Sequence, residues 1–125
     1  MSDGPERTVL ILEDDPLIAA FMEKALRKKG YEVERFDRGA PALERTASGP
    51  AGVLLLDLGL PDMDGLEVLR RIRASGSDLP VLVVTSRSDP GDRQEATALG
   101  VHGYILKPFP LADLLLAVEG SVGSA

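Results

Sequence analysis

The sequence contains no cysteine and no tryptophan, only two tyrosines and three phenylalanines, and a single histidine. Without cysteine there is no disulfide, no thiolate nucleophile and no cysteine-ligated zinc. One histidine, His102, cannot build a histidine-rich metal site, and it reads as a surface residue near a strand. Basic residues are in the minority, 14 against 20 acidic, for a net charge of −6. No Lys/Arg block tracks a nucleic-acid backbone, so direct nucleic-acid binding by this chain is not expected. Apolar runs fall far short of membrane-spanning length, and the start, MSDGPERT, lacks the form of a signal peptide. No membrane association is therefore expected, and a cytoplasmic setting is the default. Neither a GxxxxGK[ST] loop nor Gly-rich dinucleotide spacing follows the first apolar run, which argues against nucleotide or NAD binding.

What is present is a chain of 125 residues, 44% of them hydrophobic, enough for one domain with a buried core. That domain is expected over residues 8–119, with 1–7 and 120–125 as flexible tails or a linker stub, because GSVGSA has linker composition. Segments alternate regularly. Strand-like runs cover Thr8–Leu12, Tyr31–Phe36, Gly52–Leu56, Pro80–Val84 and Val101–Leu106. Helical periodicity covers Leu17–Lys29, stopped by Gly30, then Gly39–Ala47, Leu66–Ala74, Asp92–Leu99 and Leu111–Val118. In the first helix Leu17, Ile18, Phe21, Met22, Ala25 and Leu26 recur at helical spacing; in the third, Arg70, Arg71 and Arg73 lie on the outer face. Near-continuous apolar strands suit a parallel sheet covered on both sides. Five strand–helix units then give right-handed crossovers and a three-layer α/β sandwich.

In such a sheet, ligands bind beyond the carboxyl ends of the strands. The first strand is followed by Glu13, Asp14 and Asp15, the third by Asp57, the fourth ends in Thr85 and Ser86, and the fifth leads into Lys107-Pro108. Capping of the next helix explains one acid of the first group but not three. Asp57 breaks the run Val53–Leu56, where an unpaired carboxylate costs several kcal/mol. Crowded carboxylates resist ionisation unless a cation intervenes, and Mg²⁺ takes one or two carboxylates together with phosphate oxygens. An ammonium, a hydroxyl and a cation form a cage for a phosphoryl group, and a carboxylate can carry one as an acyl phosphate. Asp62, Asp64 and Gly65 read as turn and cap residues.

The motifs LILEDDP, LLLDLGLPDMDG, LPVLVVTS and GYILKPF, in that order, resemble the receiver (response regulator) domain of bacterial two-component signalling. The resemblance runs from about Thr8 to Val118. It implies a (βα)5 doubly wound parallel sheet of the flavodoxin-like, CheY-like kind. It further implies that Glu13 and Asp14 hold Mg²⁺ with Asp57 and the backbone carbonyl of Gly59. Asp57 is then the phosphoacceptor, modified to 4-aspartylphosphate, Thr85 the switch hydroxyl, and Lys107 the phosphate-pairing lysine, with a cis bond before Pro108. Tyr104 matches the aromatic switch that packs inward when Thr85 moves.

The implied activity is a switch more than a metabolic enzyme: phosphoryl transfer from a histidine kinase or histidine phosphotransfer protein, with slow autodephosphorylation. The implied output face is the fourth helix, fifth strand and fifth helix, about residues 92–117, where Arg93, Asp113 and Glu119 would serve a possible homodimer. Departures are modest: Ser86 where alanine is common, Arg87 and Gly59 at positions that tune acyl-phosphate lifetime, His102 before the tyrosine strand, and a short loop from Ala74 to Leu79. Two rival readings use the same residues. One is a phosphorylation-independent protein-interaction module. The other is a small Mg²⁺-dependent phosphohydrolase, which needs a leaving-group acid and a substrate pocket for which this chain has little room.

Overall fold

The apolar runs become five strands and the periodic segments five helices in the computed structural model, which describes residues 4–122. A short 3-10 turn, Pro5–Arg7, precedes β1 (Thr8–Leu12), α1 (Pro16–Lys28), β2 (Glu32–Phe36), α2 (Gly39–Ser48) and β3 (Val53–Leu56). There follow α3 (Gly65–Ala74), β4 (Val81–Thr85), α4 (Pro90–Ala98), β5 (Gly103–Leu106) and α5 (Leu111–Val122). Local chemistry sets the ends of α1. Asp15 caps it by accepting from Leu17 N at 2.9 Å, Pro16 opens its first turn, and Gly30 leaves it at φ +92°, in the left-handed region.

All strand pairs are parallel and the order is β2-β1-β3-β4-β5. Alternate residues of the central strands serve opposite faces. Leu10, Leu12, Leu54, Leu56, Val81 and Val83 pack with Leu66, Leu69, Ile72 and Ala96 of α3 and α4. Val9, Ile11, Val53, Leu55, Leu82 and Val84 pack with Met22, Leu26, Leu114 and Val118 of α1 and α5. Each such fully buried side chain contributes roughly 1.5–3 kcal/mol. A one-residue slip of register would exchange the two sets, so packing on both faces pins the strand ends.

Several details depart from the sequence reading. Leu17 and Phe21 do not join the core: they are 81% and 51% exposed. They lie on the solvent side of α1, lining a shallow groove with Lys107, Pro108 and Phe109. Arg73 is not on an outer face. Its guanidinium turns inward to donate to the carbonyls of Leu99 (2.7 Å), Leu79 (2.8 Å) and Ser77 (3.1 Å), tying the short α3–β4 loop to the end of α4. The ordered region also extends past 8–119. Arg7 stacks over the Tyr31 ring at 4.1 Å, and α5 continues through Gly120 to Val122, with Ser121 buried and Val122 packed on the core. The outer parts of the expected tails, 1–3 and 123–125, lie outside the described residues. No described helix is long and apolar enough to cross a membrane.

Helix α2 has no side-chain cap of its own, since Arg38 occupies that position. Asp62, in the loop after β3, supplies it from a distance: its carboxylate accepts from Gly39 N (2.7 Å) and Ala40 N (3.0 Å). These two amides hold the Asp62 carboxyl below the ordinary aspartate value. A lowered native pKa means the unfolded chain binds more protons between the native and ordinary values. The stabilisation is therefore complete above the ordinary range and is lost as pH falls through the native value. Asp62→Ala is expected to lower the thermal midpoint at neutral pH, with the gap to wild type closing as melts are repeated below the ordinary carboxylate range. A gap that stays constant down the acid limb contradicts the capping role.

Candidate functional site

The chain runs outward in opposite directions from the neighbouring strands β1 and β3, which opens a crevice at their carboxyl ends. Glu13, directly after β1, is buried, and its backbone is fixed by Glu13 N donating to Phe36 O at 3.0 Å. Asp57, directly after β3, is 7% exposed, with its own N–H donating to Leu12 O at 3.0 Å. Thr85 is the last residue of β4, and Lys107 N donates to Thr85 O at 2.9 Å, which sets the chain leaving β5 beside it. The Lys107–Pro108 peptide is cis.

The side chains converge on Asp57. Thr85 Oγ1 donates to Asp57 Oδ1 at 2.8 Å, Gly59 N donates to the same oxygen at 3.2 Å, and Lys107 Nζ donates to Asp57 Oδ2 at 3.0 Å. Lys107 Nζ also lies 2.7 Å from Glu13 Oε1. That contact is an ion pair without hydrogen-bond alignment, so Glu13 Oε1 is buried with no hydrogen-bond partner, while Oε2 accepts from Asp15 N at 3.1 Å. Burial pushes the Glu13 carboxyl above its usual value, reinforced by the charge of Asp57 and opposed by Lys107. Burial alone would lower the Lys107 pKa. The close contacts and charges of Glu13 and Asp57 outweigh it and hold the ammonium above the ordinary lysine value. Lys107 is thus a fixed cation between two acids.

Carboxylate oxygens of Glu13, Asp14 and Asp57 lie within 4.8 Å of one another, Asp14 being exposed. Three hard oxygen donors, one of them a buried and unaligned oxygen of Glu13, fit Mg²⁺ better than a softer ion. The crevice therefore assembles Glu13, Asp14, Asp57, Gly59, Thr85 and Lys107. Tyr104 stands apart from it. Its half-buried ring packs against the α3/α4 core and its hydroxyl donates to Arg87 O at 2.8 Å, so it is already seated against the β4–α4 turn. His102 is exposed, as expected.

Two residues beside the site, Gly65 read as a turn and cap residue and Arg87 read as a position that tunes acyl-phosphate lifetime, make contacts the sequence reading did not anticipate. A Cβ at Gly65 would sit 2.5 Å from both Asp57 O and Leu58 Cα. Its missing side chain, more than a turn conformation, lets the start of α3 lie against the Asp57 loop. Arg87 bridges Asp64 (2.8 Å), Asp92 (3.1 Å) and Leu58 O (3.2 Å). No periodicity announces either contact: one is made across the irregular loop between β3 and α3, and the other joins segments distant in sequence.

This strand order, with its crevice at the carboxyl ends of β1 and β3, marks a receiver-type α/β domain, and comparison with known proteins agrees. The chain belongs to the response regulator receiver domain family, whose model matches residues 9–119. It is 39% identical over 107 residues to response regulator MprA of Mycobacterium ulcerans, covering 86% of this chain and 46% of that one. The MprA protein of Mycobacterium leprae is 37% identical over 111 residues, covering 89% and 49%. The chain thus spans about half the length of these curated relatives. Among solved structures, a CheY-like receiver domain protein of Methanospirillum hungatei superposes with a TM-score of 0.88 at 27% identity, covering 93% of each chain. The receiver domain of the sensor histidine kinase PA1611 of Pseudomonas aeruginosa gives 0.84 at 31% identity, covering 94% and 98%. That structure has a magnesium ion coordinated in its active-site cleft.

Gly65→Ala is expected to cost about 1–3 kcal/mol, the usual range for overpacking against backbone. It is also expected to weaken Mg²⁺ binding by shifting Asp57. Paired denaturant melts and Mg²⁺ titrations test both. An alanine variant with wild-type stability and affinity means the α3 start yields at no cost.

Proposed function

We propose that the protein is a phosphoacceptor switch in which Asp57 receives a phosphoryl group from a phosphohistidine of a partner histidine kinase or histidine phosphotransfer protein. The observation that carries this reading is the Asp57 carboxylate itself, at the end of an apolar strand, with Lys107 on one oxygen and Thr85 and Gly59 N on the other. A carboxylate needs no base to become a nucleophile. One Asp57 oxygen forms the O–P bond as the donor N–P bond breaks, and the electron pair returns to the imidazole nitrogen. The Lys107 ammonium and the Thr85 hydroxyl offer charge-assisted and neutral hydrogen bonds to phosphoryl oxygens as charge spreads over them.

Glu13, Asp14, Asp57 and the Gly59 carbonyl are the proposed Mg²⁺ ligands. When bound there, the ion neutralises charge shared by the carboxylates and the phosphoryl oxygens. Slow hydrolysis of the acyl phosphate returns Asp57 to its starting state. Exposed Leu17 and Phe21, with Pro108 and Phe109, form an apolar edge next to Lys107, suited to a donor protein that must bring its histidine over Asp57. The reporting face is α4-β5-α5, through which a homodimer is also proposed. Thr85 reaches it through the β4–α4 turn: Arg87 N donates to Thr85 Oγ1 at 3.3 Å, and Arg87 O accepts from Tyr104.

Incubation with acetyl phosphate is expected to add about 80 Da, one phosphoryl group, only when Mg²⁺ is present. Asp57→Asn is expected to remove the adduct, and Asp14→Asn to lose most Mg²⁺ binding. Intact mass and peptide mapping decide, and an adduct on Asp62 or Asp64 would overturn the assignment. If no adduct forms under any condition, the phosphorylation-independent interaction module becomes the better reading. Phe21→Asp is expected to slow transfer from a donor protein at least tenfold, a loss of about 1.4 kcal/mol of docking energy, while acetyl phosphate labelling stays near wild type. Equal slowing with both donors would remove the docking role.

A further inference from the structure

Beyond the β4–β5 ladder, the β4–α4 turn connects Thr85, at the site, to Tyr104, on the reporting face, through the backbone of Arg87. A turn linked at both ends transmits nothing unless something fixes its position. The Arg87 side chain does this. It leaves the turn in the direction of α3 and α4, donating to Leu58 O at 3.2 Å, one residue from Asp57. It pairs with Asp64, the cap of α3, at 2.8 Å, and with Asp92 on α4 at 3.1 Å. The next residue of α4, Arg93, holds its guanidinium 5.3 Å from the centre of the Tyr104 ring. Two consecutive α4 residues therefore grip the turn and the aromatic ring. In the same arrangement the Thr85 hydroxyl already points at Asp57.

We propose that Arg87 is a positioning residue of the switch: by bridging Asp64 and Asp92 it holds the β4–α4 turn where Thr85 faces Asp57 and where Tyr104 docks. The clamp favours the phosphoryl-engaged arrangement rather than opposing it, because every contact it makes coexists with Thr85 turned toward Asp57. This rests on the phosphoacceptor reading and adds that α4 sets the readiness of the site. A planar fork is required: a guanidinium can serve two carboxylates and a carbonyl at once, whereas a lysine ammonium on a flexible stem is poorly matched to all three.

The test is calorimetric titration of beryllofluoride with Mg²⁺ into wild type, Asp92→Asn, Arg87→Met, Arg87→Lys and the double variant Asp92→Asn/Arg87→Met. Asp92 does not touch Asp57 and serves as the remote probe. Partly exposed pairs of this kind predict affinity about two- to fivefold weaker for Asp92→Asn and about tenfold weaker for Arg87→Met. Arg87→Lys should resemble Arg87→Met, and the double variant should be no weaker than Arg87→Met alone, since both substitutions break one clamp. NMR of labelled tyrosine should show the Tyr104 ring losing its single environment in Asp92→Asn. A purely structural ion pair would lower the thermal midpoint but leave affinity and ring environment unchanged. That result overturns the proposal. So does tighter binding in the variants, which would make Arg87 a brake. If wild type itself binds no beryllofluoride, the phosphoacceptor reading fails and the clamp fails with it.

Discussion

Two carboxylates and one ammonium at the ends of three strands are the constraint around which this domain is arranged. Lys107 stands 2.7 Å from Glu13 and 3.0 Å from Asp57, in a crevice where neither acid has much access to water. Removing a charge from water costs several kcal/mol, and only close pairing offsets that cost. The pairing is incomplete by design of the geometry: one ammonium faces two acids, and one Glu13 oxygen has no aligned donor. The crevice consequently retains a surplus of negative charge. In the proposed function that surplus attracts a divalent cation, and the cation in turn makes the approach of a phosphoryl group tolerable.

The sheet makes such crowding possible. Strands β1 and β3 are neighbours, and their packing on both faces fixes where Glu13 and Asp57 emerge. A buried parallel sheet deforms little, so its carboxyl edge is a rigid platform, while the loops above it carry the chemistry. Gly65 extends the same logic to α3, which can lie against the Asp57 loop only because no Cβ intervenes. Asp62 ties that loop back to α2. The Asp57 segment is thereby held from both sides by helix starts, whose amides favour negative charge nearby.

Communication away from the site uses weaker bonds. Partly exposed ion pairs join Arg87 to Asp64 and Asp92, and Asp92 and Asp64 in turn hold that guanidinium above its usual pKa, burial opposing them. Such pairs contribute little to stability, so their proposed role is to hold the turn in place rather than to stabilise the fold. The strong contacts lie under the site and the adjustable ones beside it. A difference of a few kcal/mol between two packings is the scale on which one covalent phosphate can act.

Sequence alone determined the five-unit α/β alternation, because apolar runs and helical periods are local signals that survive without a partner. It also determined which strands end in Glu13, Asp14, Asp57, Thr85 and Lys107, and the strand-end rule then placed these residues on one edge. Element boundaries shifted by only a residue or two, except at α5, where a linker-like Gly120-Ser121 is helical because Ser121 donates to Ala117 O and Val122 finds the core. What tertiary structure decided were the matters that depend on who meets whom. Leu17 and Phe21 share the helical spacing of Met22 and Leu26, yet they stay exposed while those two are buried. Asp62 reads as a turn residue, yet it caps a helix that precedes it in the chain. Arg73 reads as outer-face charge, yet it closes carbonyls of the α3–β4 loop and the end of α4, and Arg87, read only as a lifetime-tuning position, joins two carboxylates and a carbonyl brought from elsewhere. Periodicity reports which side of an element is apolar; it carries no information on the width of the neighbour or the direction of a long polar side chain, and those are set only when the layers pack.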